Sequence, residues 1–188
     1  MKPFALRLCP ALLAGLILAL PALRANDAPA AADADTELRE FAELIHDLTR
    51  FAGALPKIAL INASPEEVAR PEFNRALARL RRLGTVQLYA FPDDGSPARP
   101  LNILPPDYPE ELRQLNIPGE AYLIGLIGVE GNVEAVHVAG ATRREFAVSA
   151  ALAYVRWEFQ PAVVANERVP VLVFQTIAFK AVPPAGTE

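Results

Sequence analysis

One run of elements constrains this chain more than any other, and it begins at Pro106. Pro106-Asp-Tyr-Pro109 is turn chemistry, and Glu110 to Leu115 then reads as a short amphipathic helix carrying Leu112 and Leu115. Gly119 follows at the position of a helix C-cap and opens the next element. Glu120 to Val129 is apolar and rich in strand formers, and Glu130-Gly131-Asn132 ends it. Val133 to Val138 alternates apolar and polar residues, which predicts the return strand of a hairpin. A helix is expected next, with Phe146, Ala150, Ala151, Tyr154 and Trp157 on one face. It closes in Trp157-Glu-Phe-Gln-Pro-Ala162, and a final strand runs from Pro170 to Phe179. A chain written in this order, with a hairpin between helices and a final strand, is α+β.

The segments before that run divide by composition. Lys2 and Arg7 precede an apolar stretch from Leu8 to Leu23, and Ala25 is followed by Asn26-Asp27. This pattern predicts a secretory signal peptide over residues 1–25, cleaved near Ala25 and giving an exported product. The alternative is an uncleaved anchor in the inner membrane. The stretch is about 16 residues long and holds Pro10 and Pro21, short of the roughly 20 that a spanning helix needs. Cleavage removes Lys2, Arg7 and Arg24 and no acid, which takes the net charge from −4 to −7. It also removes Cys9, the one cysteine, so the mature chain forms no disulfide.

Residues 26–35 are rich in Ala, Asp and Pro and read as a flexible lead. Residues 36–103 read as a mainly helical extension with one or two strands. Thr36 to Ala54 carries Leu38, Phe41, Ala42, Ile45, Leu48, Phe51 and Ala52 at helical spacing, with His46 beside that stripe. Lys57 to Asn62 is strand-like. Ser64-Pro65-Glu66-Glu67 has the form of a capping box with proline at the first helical position. The helix it starts breaks at Pro71, runs on through Phe73, Leu77, Leu80 and Leu83, and ends at Gly84. Thr85 to Phe91 is a strand, Pro92 to Pro97 a turn cluster, and Leu101 to Leu104 a return strand or linker. Helix, glycine, strand, acidic turn and strand recur, so residues 71–104 could be a degenerate first copy of the later unit.

The chemistry of catalysis is thin. His46 and His137 are the only histidines, and Ser64, Ser96 and Ser149 the only serines, with no local motif uniting them. No phosphate loop and no metal-ligand spacing occurs. Asp93-Asp94 and Glu110-Glu111 are adjacent pairs whose side chains diverge. The expectation is no enzyme, no cofactor and no metal. The acidic balance and the lack of a basic stripe argue against nucleic acid. Arg70, Arg75, Arg79, Arg81 and Arg82 read as solvated charges that suit a helix C-terminus.

The order of motifs resembles the C-terminal domain of the TonB family, the periplasmic energy transducers of Gram-negative bacteria. The residues that carry the resemblance are Tyr108-Pro109, Gly119, Glu130-Gly131, Val133 with Val136 and Val138, Trp157-x-Phe159-x-Pro161-Ala162, and Val169 to Phe179. It covers roughly residues 104–180, within a domain of 104–182 and a tail of 183–188. The resemblance implies a small antiparallel sheet of about three strands with helices packed on it, in a non-catalytic module of the cell envelope that pairs a strand with an extended segment of an outer-membrane transporter. The physical basis is strand addition, in which backbone groups of an open edge bond to an incoming peptide. Carried onto this chain, the edge is the final strand at Val171, Val173, Gln175 and Ile177. The other outcome for that edge is cover by the chain's own extension or by a second copy.

The family's transducers also have an anchor with a polar face and a long proline-rich spacer. Here the apolar run has no acid or histidine, and a lead of about ten residues reaches at most ~35 Å. The expected function is therefore protein–protein interaction in the periplasm. The alternatives are an energy transducer with an uncleaved anchor and a self-associating structural module, a homodimer with no peptide ligand.

One feature departs from a sheet with a single buried face. If Ala121, Leu123 and Ile127 face the helices, then Tyr122, Ile124 and Leu126 face away, and Leu172 and Phe174 do the same. Leaving such side chains in water would forgo roughly 1.5–3 kcal/mol for each large one. The expectation is that Phe41, Ile45 and Leu48, with Phe73, Leu77 and Leu80, cover that second face, or else that a second subunit does.

Overall fold

The computed structural model describes residues 31–181, so the signal segment 1–25 and the tail from 183 lie outside the described residues. The described chain runs α1 (Ala31–His46), α2 (Leu48–Ala54), β1 (Ile58–Asn62), α3 (Pro65–Ala69), α4 (Pro71–Leu83), β2 (Gln87–Ala90) and β3 (Arg99–Asn102). It continues with α5 (Glu110–Gln114), β4 (Gly119–Ile127), β5 (Val133–Ala141), α6 (Arg144–Tyr154), β6 (Glu158–Gln160), β7 (Ala162–Val164), β8 (Glu167–Val169) and β9 (Val171–Phe179). The fold is α+β, and its main sheet is open, in the order β2-β1-β9-β4-β5.

The three antiparallel strands expected from sequence are β9, β4 and β5. The sheet does not stop there. β1 lies parallel to β9, and β2 lies parallel to β1. Parallel neighbours need a crossover, and α3 with α4 supplies it. That crossover starts where Ser64 accepts from the Glu67 amide at 3.2 Å while the Glu67 carboxylate accepts from the Ser64 amide at 2.8 Å. It ends at Gly84, whose φ of 68° lets the helix close in the left-handed region. The extension is thus part of the sheet and not an appendage to it.

Residues 71–104 do not form a copy of the later unit. β4 and β5 are a hairpin, whereas β2 pairs with β1 and β3 pairs with β6. Ser96 and Val163 exchange backbone hydrogen bonds at 2.8 Å each, so the turn between β2 and β3 docks on β7.

Each face of the sheet carries its own core. On the first, Ala121, Leu123, Ile127, Val171, Val173 and Ile177 pack under Phe146, Ala150, Ala151 and Tyr154 of α6. On the second, Ile124, Leu126, Leu172 and Phe174 pack under Phe51 and Ala52 of α2 and Phe73, Leu77 and Leu80 of α4. Phe73 stacks on Phe174 with ring centroids 4.8 Å apart and meets Tyr122 edge-on at 5.8 Å. The second face is covered by the chain's own helices.

The covering set differs from the expected one at its start. The single helix expected over 36–54 is broken at Asp47, whose carboxylate accepts from the amides of Thr49 and Arg50 at 2.9 and 3.1 Å and caps α2. The break sends α1 and α2 to opposite faces. Phe41 and Ile45 join the first core, while Leu48, Phe51 and Ala52 join the second.

Candidate functional site

β9 is an interior strand over its first half and an edge over its second. Val171, Leu172 and Val173 are in register with Leu60, Ile61 and Asn62 of β1, and the pairing stops there. On its other side β9 is paired with β4 along its whole length, from Val171 to Phe179. From Phe174 to Phe179 the strand therefore has, among the described residues, a neighbouring strand on one side only. The expectation of an edge at Val171 and Val173 is corrected, because β1 lies against them. β1 can do so because Ala59 and Ile61 are buried in the second core, which holds it beside β9.

The four residues expected at the edge divide accordingly. The side chains of Val171, Val173 and Ile177 are buried in the first core, and that of Gln175 is half-buried. Gln175 Nε2 donates to the Thr176 carbonyl oxygen at 3.0 Å. The open half thus offers backbone groups, and one of its carbonyls is held by the neighbouring side chain. An edge protected in this way resists casual pairing.

The motif residues hold the fold together. The Tyr108 hydroxyl donates to the Ile117 carbonyl at 2.6 Å, and its ring meets Phe146 and Phe179 edge-on, each at 5.6 Å. Pro109 is the residue from which α5 starts. That helix carries Leu112 inward and leaves Leu115 exposed, and the chain turns at Asn116, whose φ is 52°. Gly119 is accordingly not the helix cap. It opens β4 where a Cβ would collide with the Phe146 ring and the Thr142 hydroxyl.

Trp157 is buried, and its indole N–H donates to the Leu104 carbonyl at 2.8 Å. It lies beyond the end of α6 and not on it, at the entry to β6. Phe159 is buried beside Trp157 and Tyr154, and Pro161 follows at the joint to β7. The aromatic set is core, as its spacing suggested.

Sequence reasoning missed one constellation. His137, on β5, is buried against the Phe51 ring of α2 with centroids 5.6 Å apart, and its Nδ1 has no hydrogen-bond partner among the described residues. No local pattern signals this, since it follows from the break at Asp47. Among the described residues no group of three or more His, Cys, Asp or Glu side chains is arranged to hold a metal.

Residues 105–181 match the family described as the Gram-negative bacterial TonB protein C-terminal. Among solved structures, the solution NMR structure of the Pseudomonas aeruginosa TonB C-terminal domain is similar at 23% identity and a TM-score of 0.40. That match covers 48% of this chain and 90% of the other. Comparison with curated proteins gave no match. The match spans less than half of the chain, and over that span, residues 105–181, this protein carries a TonB C-terminal domain.

Proposed function

We propose that this is a non-catalytic, exported protein of the cell envelope that binds another protein by strand addition. The site is the half of β9 from Phe174 to Phe179. The observation that carries the reading is the end of β1 pairing at Val173, beyond which that half has a strand on one side only among the described residues. An incoming extended segment would lie beyond the end of β1 and bond to the free backbone groups, with Gln175 swinging off the Thr176 carbonyl as it docks. A segment of an outer-membrane transporter is the partner that the family resemblance suggests.

The edge is about six residues long, so the segment it accepts is short. Main-chain bonds would supply affinity, and the half-buried Gln175 and Thr176 and the exposed Ala178 would meet its side chains.

The test is site-specific photocrosslinking in intact cells from positions 175 and 178, with position 101 on exposed β3 as the comparison. The reading expects one discrete adduct with an outer-membrane transporter from 175 and 178, and its loss in a folded Thr176→Pro variant. Adducts from position 101 with none from 175 or 178 would move the interaction away from β9.

A further inference from the structure

One end of the sheet gathers cations and bare apolar side chains. β1 starts there at Ile58, and β2, parallel to it, starts there at Gln87. α4 ends there too, since only Gly84, Thr85 and Val86 join Leu83 to β2. The Gln87 amide donates to the Lys57 carbonyl at 2.8 Å, which sets Lys57 beside the start of β2. Lys57, Arg79, Arg81 and Arg82 are exposed, and none has an ion pair among the described residues. From Phe73 to Pro92 the sequence holds no acidic residue. The chain as a whole carries a net charge of −4, so this concentration runs against its balance.

Three large apolar side chains stand in water among these cations. Ile58 is 57% exposed, Tyr89 53% and Leu83 41%. Ile58 is in register with Gln87 and Leu60 with Tyr89, while Ala59 and Ile61 are buried in the second core. Alternation therefore puts Ile58, Gln87 and Tyr89 on the first face, at the margin away from β4 and β5, on which α6 packs. The Tyr89 hydroxyl donates to Gln87 Oε1 at 3.2 Å, so the ring leans towards the start of β2. The helix dipole accounts for Arg81 and Arg82 in the last turn of α4, but for neither Lys57 nor the exposed apolar groups.

We propose that this end of the sheet is a docking surface for a bilayer containing anionic phospholipid. The guanidinium and ammonium groups meet lipid phosphates, while Ile58, Leu83 and the Tyr89 ring enter the headgroup layer. Tyrosine suits that depth, with an apolar ring and a polar tip. The mixture favours lipid over an acidic protein or a nucleic acid. Cations alone fit any polyanion, whereas protruding aliphatic groups gain where apolar material lies just beneath the charge. β9 runs parallel to β1 and its open half lies beyond the end of β1, so the strand-addition edge is at the opposite end of the sheet. Docking on a membrane here leaves that edge free for a peptide.

The experiment is co-sedimentation of the protein, purified as cells produce it, with vesicles of phosphatidylcholine alone or mixed with phosphatidylglycerol, at low and high salt. The expected result is binding to the anionic vesicles only, weakened by salt. Arg81→Glu with Arg82→Glu should weaken it by at least roughly 30-fold, at about fivefold per cation. Arg99→Glu with Arg143→Glu makes the same change of charge and should leave most of the binding. Arg99 lies beside the far end of β1, where Asn62 donates to the Ala98 carbonyl at 2.9 Å, and Arg143 follows the end of β5. A Leu83→Trp variant should be quenched by brominated acyl chains on binding. Four outcomes overturn the proposal: no binding to anionic vesicles, equal binding to neutral ones, equal loss in the two arginine pairs, or no quenching at position 83. The lipid and salt dependence of the wild type and the quenching at position 83 decide the matter even if the Arg81 and Arg82 variant does not fold.

Discussion

The α-carbon of Gly131 rests against the carbonyl oxygen of Phe159. The Phe159 amide donates to the Gly131 carbonyl at 2.8 Å, so the tip of the β4–β5 hairpin is fastened to β6. A Cβ on Gly131 would overlap the Phe159 oxygen, and the glycine φ of 87° is one that other residues adopt at a cost. Two separate motif residues, Gly131 and Phe159, are thus one contact. Gly131→Ala should destabilise the protein by about 2–4 kcal/mol, from the strained backbone and the displaced strand together. Thermal melting checks this, and a drop of about 4–16 °C is expected for a chain of this size. An unchanged melting temperature would mean that the hairpin tip is free of β6.

Tyr154 is buried with a hydroxyl that has no hydrogen-bond partner among the described residues. Burial raises the pKa of that hydroxyl far above its ordinary value. Gly125 lies beneath the ring, where a Cβ would strike the aromatic edge and the hydroxyl. Tyr154→Phe removes an unsatisfied polar atom and keeps the ring, so it should be neutral or stabilise by up to about 1–2 kcal/mol. Urea unfolding at neutral pH reads the difference directly. A loss of more than about 1 kcal/mol would show that the hydroxyl has a partner, such as a buried water.

Trp157 joins the end of α6 to the linker at Leu104 through its indole N–H. Trp157→Ala should cost about 3–5 kcal/mol, as large-to-small core changes do. A variant that melts within a degree or two of wild type would place Trp157 outside the core.

Phe73 belongs to the extension and Phe174 to the TonB-type domain, and the two rings stack. Phe73→Ala opens a cavity on the second face and should cost about 3–5 kcal/mol. Because the second core is shared, far-UV circular dichroism and Trp157 fluorescence should shift together in one transition. Two separated transitions would mean that the extension and the domain unfold independently.

The fold was legible where local chemistry sets the backbone. Ser64 and Glu67, Gly84, the Glu130-Gly131 turn and the alternation along β4 all read correctly, because each depends on a few neighbouring residues. Tyr122, Ile124, Leu126, Leu172 and Phe174 showed that the sheet has two apolar faces. What the chain did not disclose was pairing between distant segments. Lys57 to Asn62 reads as a strand, but nothing in it says that it lies parallel to Val171–Val173 and takes half of the expected edge. The Ala162–Val169 hairpin was overlooked because its turn is Ala165-Asn166, both at positive φ, without the glycine that usually marks such turns. The contact of His137 with Phe51 was hidden for the same reason as β1, since pairing between distant residues is not written in local pattern.

The extension is built into the TonB-type sheet, with β1 in register with β9. Residues 104–188 produced alone would lack β1, β2, α2 and α4, exposing Ile124, Leu126, Leu172 and Phe174. Such a patch favours association. Sedimentation and thermal melting of that fragment beside the full chain is the most direct measurement. The expected result is a fragment that self-associates or melts well below the full chain. A fragment that is monomeric, soluble and as stable as the full chain would contradict the account.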